Sequence, residues 1–396
     1  MAISTLPLAY CANVHPAETW DQACSNIRTF AASVRARMGR PVGLGVWLPA
    51  RLCAEATDER VERLRETIAE ADVAVYTMNA FPFGDFHAER VKEEAYRPDW
   101  TSLERLNYTA AAAELLARLA PEGCEASLST LPLAFAPHHP IEKDTSIYRP
   151  LLVEIARRLQ RLRDATGRLV RLAVEPEPGC VLETTQQAVD FFQSLWRATD
   201  GGPDELAVRE HVGLCYDVCH QAVEYEQVGE SIAQLHSAGV RIHKIQLSCA
   251  LELREPADDA ARMELSTFAE KRYLHQTFAK HPGGRILKLL DLTADHARRP
   301  SADWLDCESW RVHFHVPVHR EAMGRLATTR PSLAEALAAA ARLDDAPHLE
   351  VETYTWGVLS SRDQADVEFD LVEGLVNELS SARALIEAAL AGGAAH

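Results

Sequence analysis

Val212-Gly213-Leu214-Cys215-Tyr216-Asp217-Val218-Cys219-His220 is an apolar run too short for a free-standing helix, and it delivers an Asp and, three residues later, a His. In a parallel barrel the C-terminal strand ends open on a shared mouth, where such folds keep their chemistry. An Asp at a strand end and a His just past it therefore look into one pocket. Three further runs end in the same manner: Leu172-Ala173-Val174-Glu175-Pro176-Glu177, Ile245-Gln246-Leu247-Ser248 and Leu349-Glu350-Val351-Glu352. Glu175, Asp217, Gln246 and Glu352 are hard oxygen donors of the kind that hold a divalent cation.

Outward from that stretch the chain alternates strand and amphipathic helix. Strands are expected over Leu6–His15, Val42–Trp47, Val73–Asn79, Ala126–Leu131, Leu169–Val174, Val212–Asp217 and Ile242–Leu247. Between them, apolar residues recur every three or four positions, as in Trp20, Cys24, Ile27, Val34 and Met38, with Gly39 and Pro41 as the stop. Thr101 with Glu104 reads as a capping box opening the helix before the fourth strand. This alternation predicts an α/β fold, a (β/α)8 barrel. No glycine-rich phosphate fingerprint follows the first strand, which disfavours a dinucleotide-binding sheet. The strand count overruns by one. His348–Thr355 is taken as the eighth barrel strand and Trp310–Val318 as an additional strand near the mouth. Residues 249–309 form an insertion with helical pieces at Phe268–Phe278 and Ile286–Leu292, and residues 366–391 form an outer C-terminal helix. One domain over residues 1–396 is expected.

Forty-one basic against 58 acidic residues give a net charge of −17, a field that repels a phosphate backbone, so nucleic acid is not expected as a partner. Nine cysteines without CxxC pairs read as reduced thiols of a cytoplasmic protein. The first ten residues lack a signal-peptide pattern, and no run approaches the roughly 20 apolar residues of a membrane span.

Glu177 and Glu350 compete with Glu175 and Glu352, each lying two residues away and so on the same side of its strand. His313 and His315 share a face in Val312-His313-Phe314-His315-Val316, a common metal geometry because neutral imidazole suits zinc, iron and manganese. One or two sites for zinc, manganese, magnesium or iron follow. His15, Asn79, His87, Glu177 and His220 are the expected substrate contacts, with Arg90 and Lys92 placed to favour an anionic or sugar-like ligand.

At Tyr216-Asp217-Val218-Cys219-His220 the chain resembles the xylose isomerase-like TIM-barrel superfamily, which includes hydroxypyruvate isomerases, ketose epimerases and endonuclease IV. Glu175-Pro176, Asp217-x-x-His220, Lys244-Ile245-Gln246 and Glu352 are similar to its strand-end motifs. The resemblance implies a metal held by Glu175, Asp217, Gln246 and Glu352, with His220 on the substrate and the two Glu moving a proton through an enediolate. Longer stretches are similar to the metabolite traffic protein EboE family: Leu8–Pro16, Asn79–Gly84, Tyr96–Trp100, Glu175–Cys180 and Glu350–Trp356. That family implies work on secondary-metabolite precursors beside partners from one operon.

The leading expectation is a metal-dependent isomerase or epimerase acting on a small hydroxy-carbonyl metabolite. A metabolite-handling protein without turnover is the second, and an endonuclease IV-like metal phosphoesterase the third, since a shared fold does not settle function.

Overall fold

The computed structural model describes residues 5–84, 86–139, 144–362 and 370–393. Eight parallel strands close a barrel: β1 (Ala9–Cys11), β2 (Val42–Trp47), β3 (Val73–Asn79), β4 (Ala126–Thr130), β5 (Val170–Val174), β6 (Val212–Asp217), β7 (Ile242–Leu247) and, last in the chain, His348–Val351. Their residues are buried almost throughout, because helices cover the outer face and side chains fill the inside. That explains why β2 and β6 read as continuous rather than alternating apolar runs. The helices carry local start and stop chemistry. Thr57 caps Asp58–Glu70, Thr184 and Gln187 form a capping box on Thr185–Thr199, and Gly167 ends Arg149–Thr166 in a left-handed conformation.

Between β7 and the closing strand the chain builds a second, antiparallel sheet. It comprises β8 (Cys249–Leu253), β9 (Thr277–Lys280), β10 (Ile286–Leu289), β11 (Ser309–Val316), β12 (Ala322–Met323) and β13 (Leu326–Thr328), in the order β10-β9-β11-β8-β13-β12. The closing barrel strand, His348–Val351, is β14, and it pairs with β7 and β1. β8 leaves β7 after a single residue, Ser248, which turns the second sheet over the C-terminal end of the barrel.

Three local expectations are corrected. The helical pieces expected at Phe268–Phe278 and Ile286–Leu292 do not form: the first is a short helical turn at Ser266–Phe268 and then irregular chain entering β9, and the second is β10, which pairs with β9 as a hairpin. His281-Pro282-Gly283-Gly284 supplies the turn, both glycines adopting φ of +92°, and that turn outweighs the helix-like spacing of the apolar residues around it. The first strand is shorter than Leu6–His15, since the chain breaks into a helical turn at Ala12–Val14. The cap before the fourth strand is Ser102, which accepts from the Glu104 N–H, while Thr101 is held by Asp99.

The outer C-terminal helix runs Leu371–Gly393, and the start expected for it at residues 366–369 lies outside the described residues. Among the described residues no helix is long and apolar enough to cross a membrane. All nine cysteines are free thiols, eight of them buried.

Candidate metal centre at the barrel mouth

Each oxygen donor is fixed by the strand ladder it extends. The Glu175 N–H bonds the carbonyl of Thr130, and the Glu352 N–H bonds that of Leu247. Asp217 is the last residue of β6 and stands in register with Gln246 on β7. Asp217 also caps the helix Val218–Val223, its Oδ1 accepting from the His220 N–H at 2.9 Å and from Ser248 Oγ at 2.7 Å. One oxygen from each of Glu175, Asp217 and Glu352 lies within 4.8 Å of the others, and all three residues are buried. Gln246 is fully buried on β7, in backbone register with Asp217.

The hydrogen-bond inventory is lopsided. Glu352 Oε1 accepts from Asn13 at 2.7 Å and from Asn79 at 2.9 Å, and Asn79 is in turn oriented by the Phe81 N–H. Glu175 Oε2, Asp217 Oδ2 and both amide atoms of Gln246 have no partner among the described residues. Buried polar atoms are nearly always satisfied, and three carboxylates packed together cost heavily unless protons or a cation offset them. Burial pushes the Glu175 carboxyl well above the ordinary range, aided by Glu352 and Asp217. Burial, with Asp217 next, lifts Glu352 to about 8. The donor set of carboxylates and one carboxamide fits a divalent cation.

Glu350 sits below this layer in a fully buried ion pair with Lys244. Sharing a side with Glu352 therefore does not bring it to the mouth, because it is spent on Lys244. Glu177 faces the mouth from the other side. Its Oε1 accepts from Tyr96 Oη at 2.6 Å, Oε2 has no partner among the described residues, and burial raises its pKa to about 8.

The second sheet adds nitrogen donors. β11 delivers His313 and His315 to His220: His220 Nε2 lies 3.1 Å from His313 Nε2, which lies 3.2 Å from His315 Nε2. Burial lowers the pKa of all three rings.

The remaining expected contacts divide. Asn79, Glu177 and His220 line the same pocket as Glu175 and Glu352, and Asn13, not among the expected contacts, joins them. His15 does not; it stacks on Phe30, with ring centroids 4.3 Å apart, and faces a separate small cavity beneath the first helix. His87 packs edge-on against Trp47 and Phe86. Arg90 pairs with Glu93 at 2.8 Å, while Lys92 lines the pocket and pairs with Asp291 at 2.6 Å.

Sequence reasoning missed Gln276, just before β9, which accepts from His313 Nδ1 and donates to Tyr96 Oη and the Pro178 carbonyl. It also missed the aromatic rim of Tyr96, Tyr273 and Tyr354. Tyr96 and Tyr354 lie within the motif stretches quoted above. Nothing in the local spacing marks Gln276 or Tyr273.

No family model matches this chain, and no curated protein matches it. Solved structures align along most of its length. An IolI protein with a bound zinc atom shares 12% identity over 98% of this chain and 99% of that one, with a TM-score of 0.47. D-Psicose 3-epimerase with D-tagatose, from Clostridium cellulolyticum H10, shares 13% identity over 97% and 99%, with a TM-score of 0.47. A xylose isomerase-like TIM-barrel protein from Mycobacterium smegmatis in complex with magnesium shares 15% identity over 98% of each chain, with a TM-score of 0.45. The closed parallel order of β1 to β7 with β14 establishes the barrel independently of these alignments.

Proposed function

We propose that this protein is a divalent-metal-dependent isomerase or epimerase that moves a proton on a small hydroxy-carbonyl metabolite. One observation supports the proposal: buried Glu175, Asp217 and Glu352 bring oxygens within 4.8 Å of one another, and Glu175 Oε2 and Asp217 Oδ2 have no hydrogen-bond partner among the described residues. Glu175, Asp217, Gln246 and Glu352 would hold the ion. When bound, it polarises carbonyl and hydroxyl oxygens and so acidifies the carbon-bound proton between them.

The chain's own residues do the rest. One carboxylate takes the proton from the carbon beside the carbonyl, leaving an enediolate, and the other carboxyl returns a proton. Return to the same carbon from the opposite face inverts it, whereas return to the neighbouring carbon, with the hydroxyl proton passing from one oxygen to the other, exchanges aldehyde and ketone. Asn13 and Asn79 hold Glu352 in place, which leaves Glu175 freer to turn toward substrate. Aromatic and apolar side chains such as Phe81, Phe86 and Tyr273 surround this polar floor. They exclude water from the reacting carbon and favour a substrate with one polar end and an apolar flank. The resemblance of several stretches to the EboE family favours a substrate among secondary-metabolite precursors, with partners from the same operon.

Solvent deuterium exchange tests the proposal. The manganese-loaded protein is incubated in heavy water with ketoses, hydroxypyruvate and cyclic polyol ketones, and label is sought at the carbon beside the carbonyl. Wash-in is expected for at least one compound, and Glu175→Gln or Glu352→Gln should slow it by roughly 10²- to 10⁴-fold. Ligands that bind without any exchange would contradict turnover and leave a metabolite-binding barrel.

A further inference from the structure

We propose that the Lys92–Asp291 ion pair is a movable partition between two halves of one substrate cleft. The mouth pocket over Glu175 and Glu352 offers a volume of only about 60 Å³. Pockets that take small molecules run to roughly 300–1,000 Å³. A second space, a groove of about 520 Å³, borders the first and is lined by Arg90 on one side and by Glu270 and Asp291 on the other. Lys92 lines both spaces. The inference rests on the reading above only in seating the reacting end of the substrate at Glu175 and Glu352.

The pair ties the loop after β3 to the second sheet, since Asp291 lies just past β10. Lys92 Nζ stands 2.6 Å from Asp291 Oδ2 and donates to the Glu270 carbonyl at 3.2 Å, with only 10% of its side chain exposed. The Lys92 backbone has a φ of +42°, a left-handed conformation that a lysine keeps only where its surroundings impose it. Here the Arg272 carbonyl imposes it, accepting from both the Val91 and the Lys92 N–H at 2.8 Å. Tyr273 Oη adds a bond to the Phe86 carbonyl at 3.1 Å. Strain of this kind gathers at ligand clamps and switch regions.

Parting affects the two partners unequally. Asp291 keeps a donor when Lys92 leaves, because its Oδ1 accepts from the His275 N–H at 3.1 Å. Lys92 carries its charge on a flexible four-carbon stem. Its ammonium can therefore swing out to water in the groove while the loop backbone stays on Arg272. That swing clears the wall between the two spaces. A substrate then rests its hydroxy-carbonyl end on the polar floor and extends outward past Lys92, which favours an elongated metabolite over a free triose. Arg90 gives the contrast. It pairs with Glu93 of the same loop, lines the groove alone and bars nothing.

Thiol labelling of the full chain tests the partition. Leu274 lines the mouth pocket and not the groove, so Leu274→Cys places a reporter behind the wall. Its alkylation is followed by peptide mass spectrometry with iodoacetamide and with a long polyethylene-glycol maleimide. Adding Asp291→Asn or Lys92→Met should speed the long reagent by at least about tenfold, the worth of one charge-assisted hydrogen bond, and the short one by less. Arg90→Gln should change neither rate. Amide hydrogen exchange of the unsubstituted chain decides the matter if a variant fails to fold: the Val91 and Lys92 amides should exchange by local opening, well ahead of those in β3. Long-reagent labelling that ignores loss of the ion pair, or Val91 and Lys92 amides as protected as β3, would overturn the proposal. Neither readout uses metal or turnover, so a failed deuterium wash-in above leaves this result unmoved.

Discussion

Lys244 and Glu350 form a fully buried ion pair beneath the oxygen site, with Ser129 Oγ 3.3 Å from the Lys244 ammonium. Removing one partner of such a pair leaves an uncompensated buried charge, so Glu350→Ala should cost about 3–5 kcal/mol in denaturant unfolding. Lys244→Met with Glu350→Leu should recover most of that loss. If the double variant is as unstable as the single, the pair is not what holds this layer. Gly45 makes room for it: a Cβ there would stand 1.4 Å from Glu350 Oε1, so Gly45→Ala should displace the carboxylate and lower the melting temperature. The alternation Glu350-x-Glu352 is legible in the sequence as two acids on one side of a strand. Their depth is not legible, because it depends on Lys244, which comes from a strand about a hundred residues earlier.

At the scale of elements, the outer helix Leu371–Gly393 is tied to the mouth through Glu378. This fully buried carboxylate accepts from the Val318 N–H at 3.0 Å, Thr353 Oγ1 at 2.6 Å and Trp356 Nε1 at 2.7 Å. Thr353 follows Glu352, so one side chain joins the helix, the second sheet and the end of β14. Glu378→Leu removes the acceptor shared by these donors and should cost at least about 3 kcal/mol. Burial outweighs these hydrogen bonds and lifts the Glu378 pKa from 4.5 to about 7. A raised carboxyl pKa means that the folded state holds the proton more tightly than the unfolded chain. Its stabilising contribution is therefore complete below pH 4.5 and falls as pH rises toward 7. Relative to Glu378→Gln, the wild type should lose about 3 kcal/mol over that window in unfolding titrations. A constant difference would contradict the assignment. The helix is legible from its apolar spacing, whereas the bond network at its inner face is not. In the second sheet β11 is legible as an additional strand, whereas the β9–β10 hairpin is not, for a related reason. Short apolar runs such as Ile286–Leu289 carry no decisive period of their own, and the Pro-Gly-Gly turn between β9 and β10 is the stronger signal.

For the molecule as a whole, the barrel is legible because every unit repeats the same local grammar of buried strand, capped helix and polar strand end. What lies over the mouth is set by antiparallel pairing between distant segments, such as β8 with β11, which leaves no local trace. The stability of the whole chain should reflect the charge gathered at the mouth. A cation that binds only the folded state adds RT ln(1 + [L]/Kd), about 2.7 kcal/mol at a hundredfold excess over Kd. Stripping metal with a chelator should lower the melting temperature, and adding manganese should raise it again in a concentration-dependent way. Glu175→Gln with Asp217→Asn should abolish that response.

Anomalous diffraction from crystals grown with manganese tests the central claim most directly. A peak within coordination distance of Glu175, Asp217, Gln246 and Glu352 together is predicted. Crystals in which these four side chains stand too far apart to touch one ion, or in which manganese binds elsewhere, would contradict it.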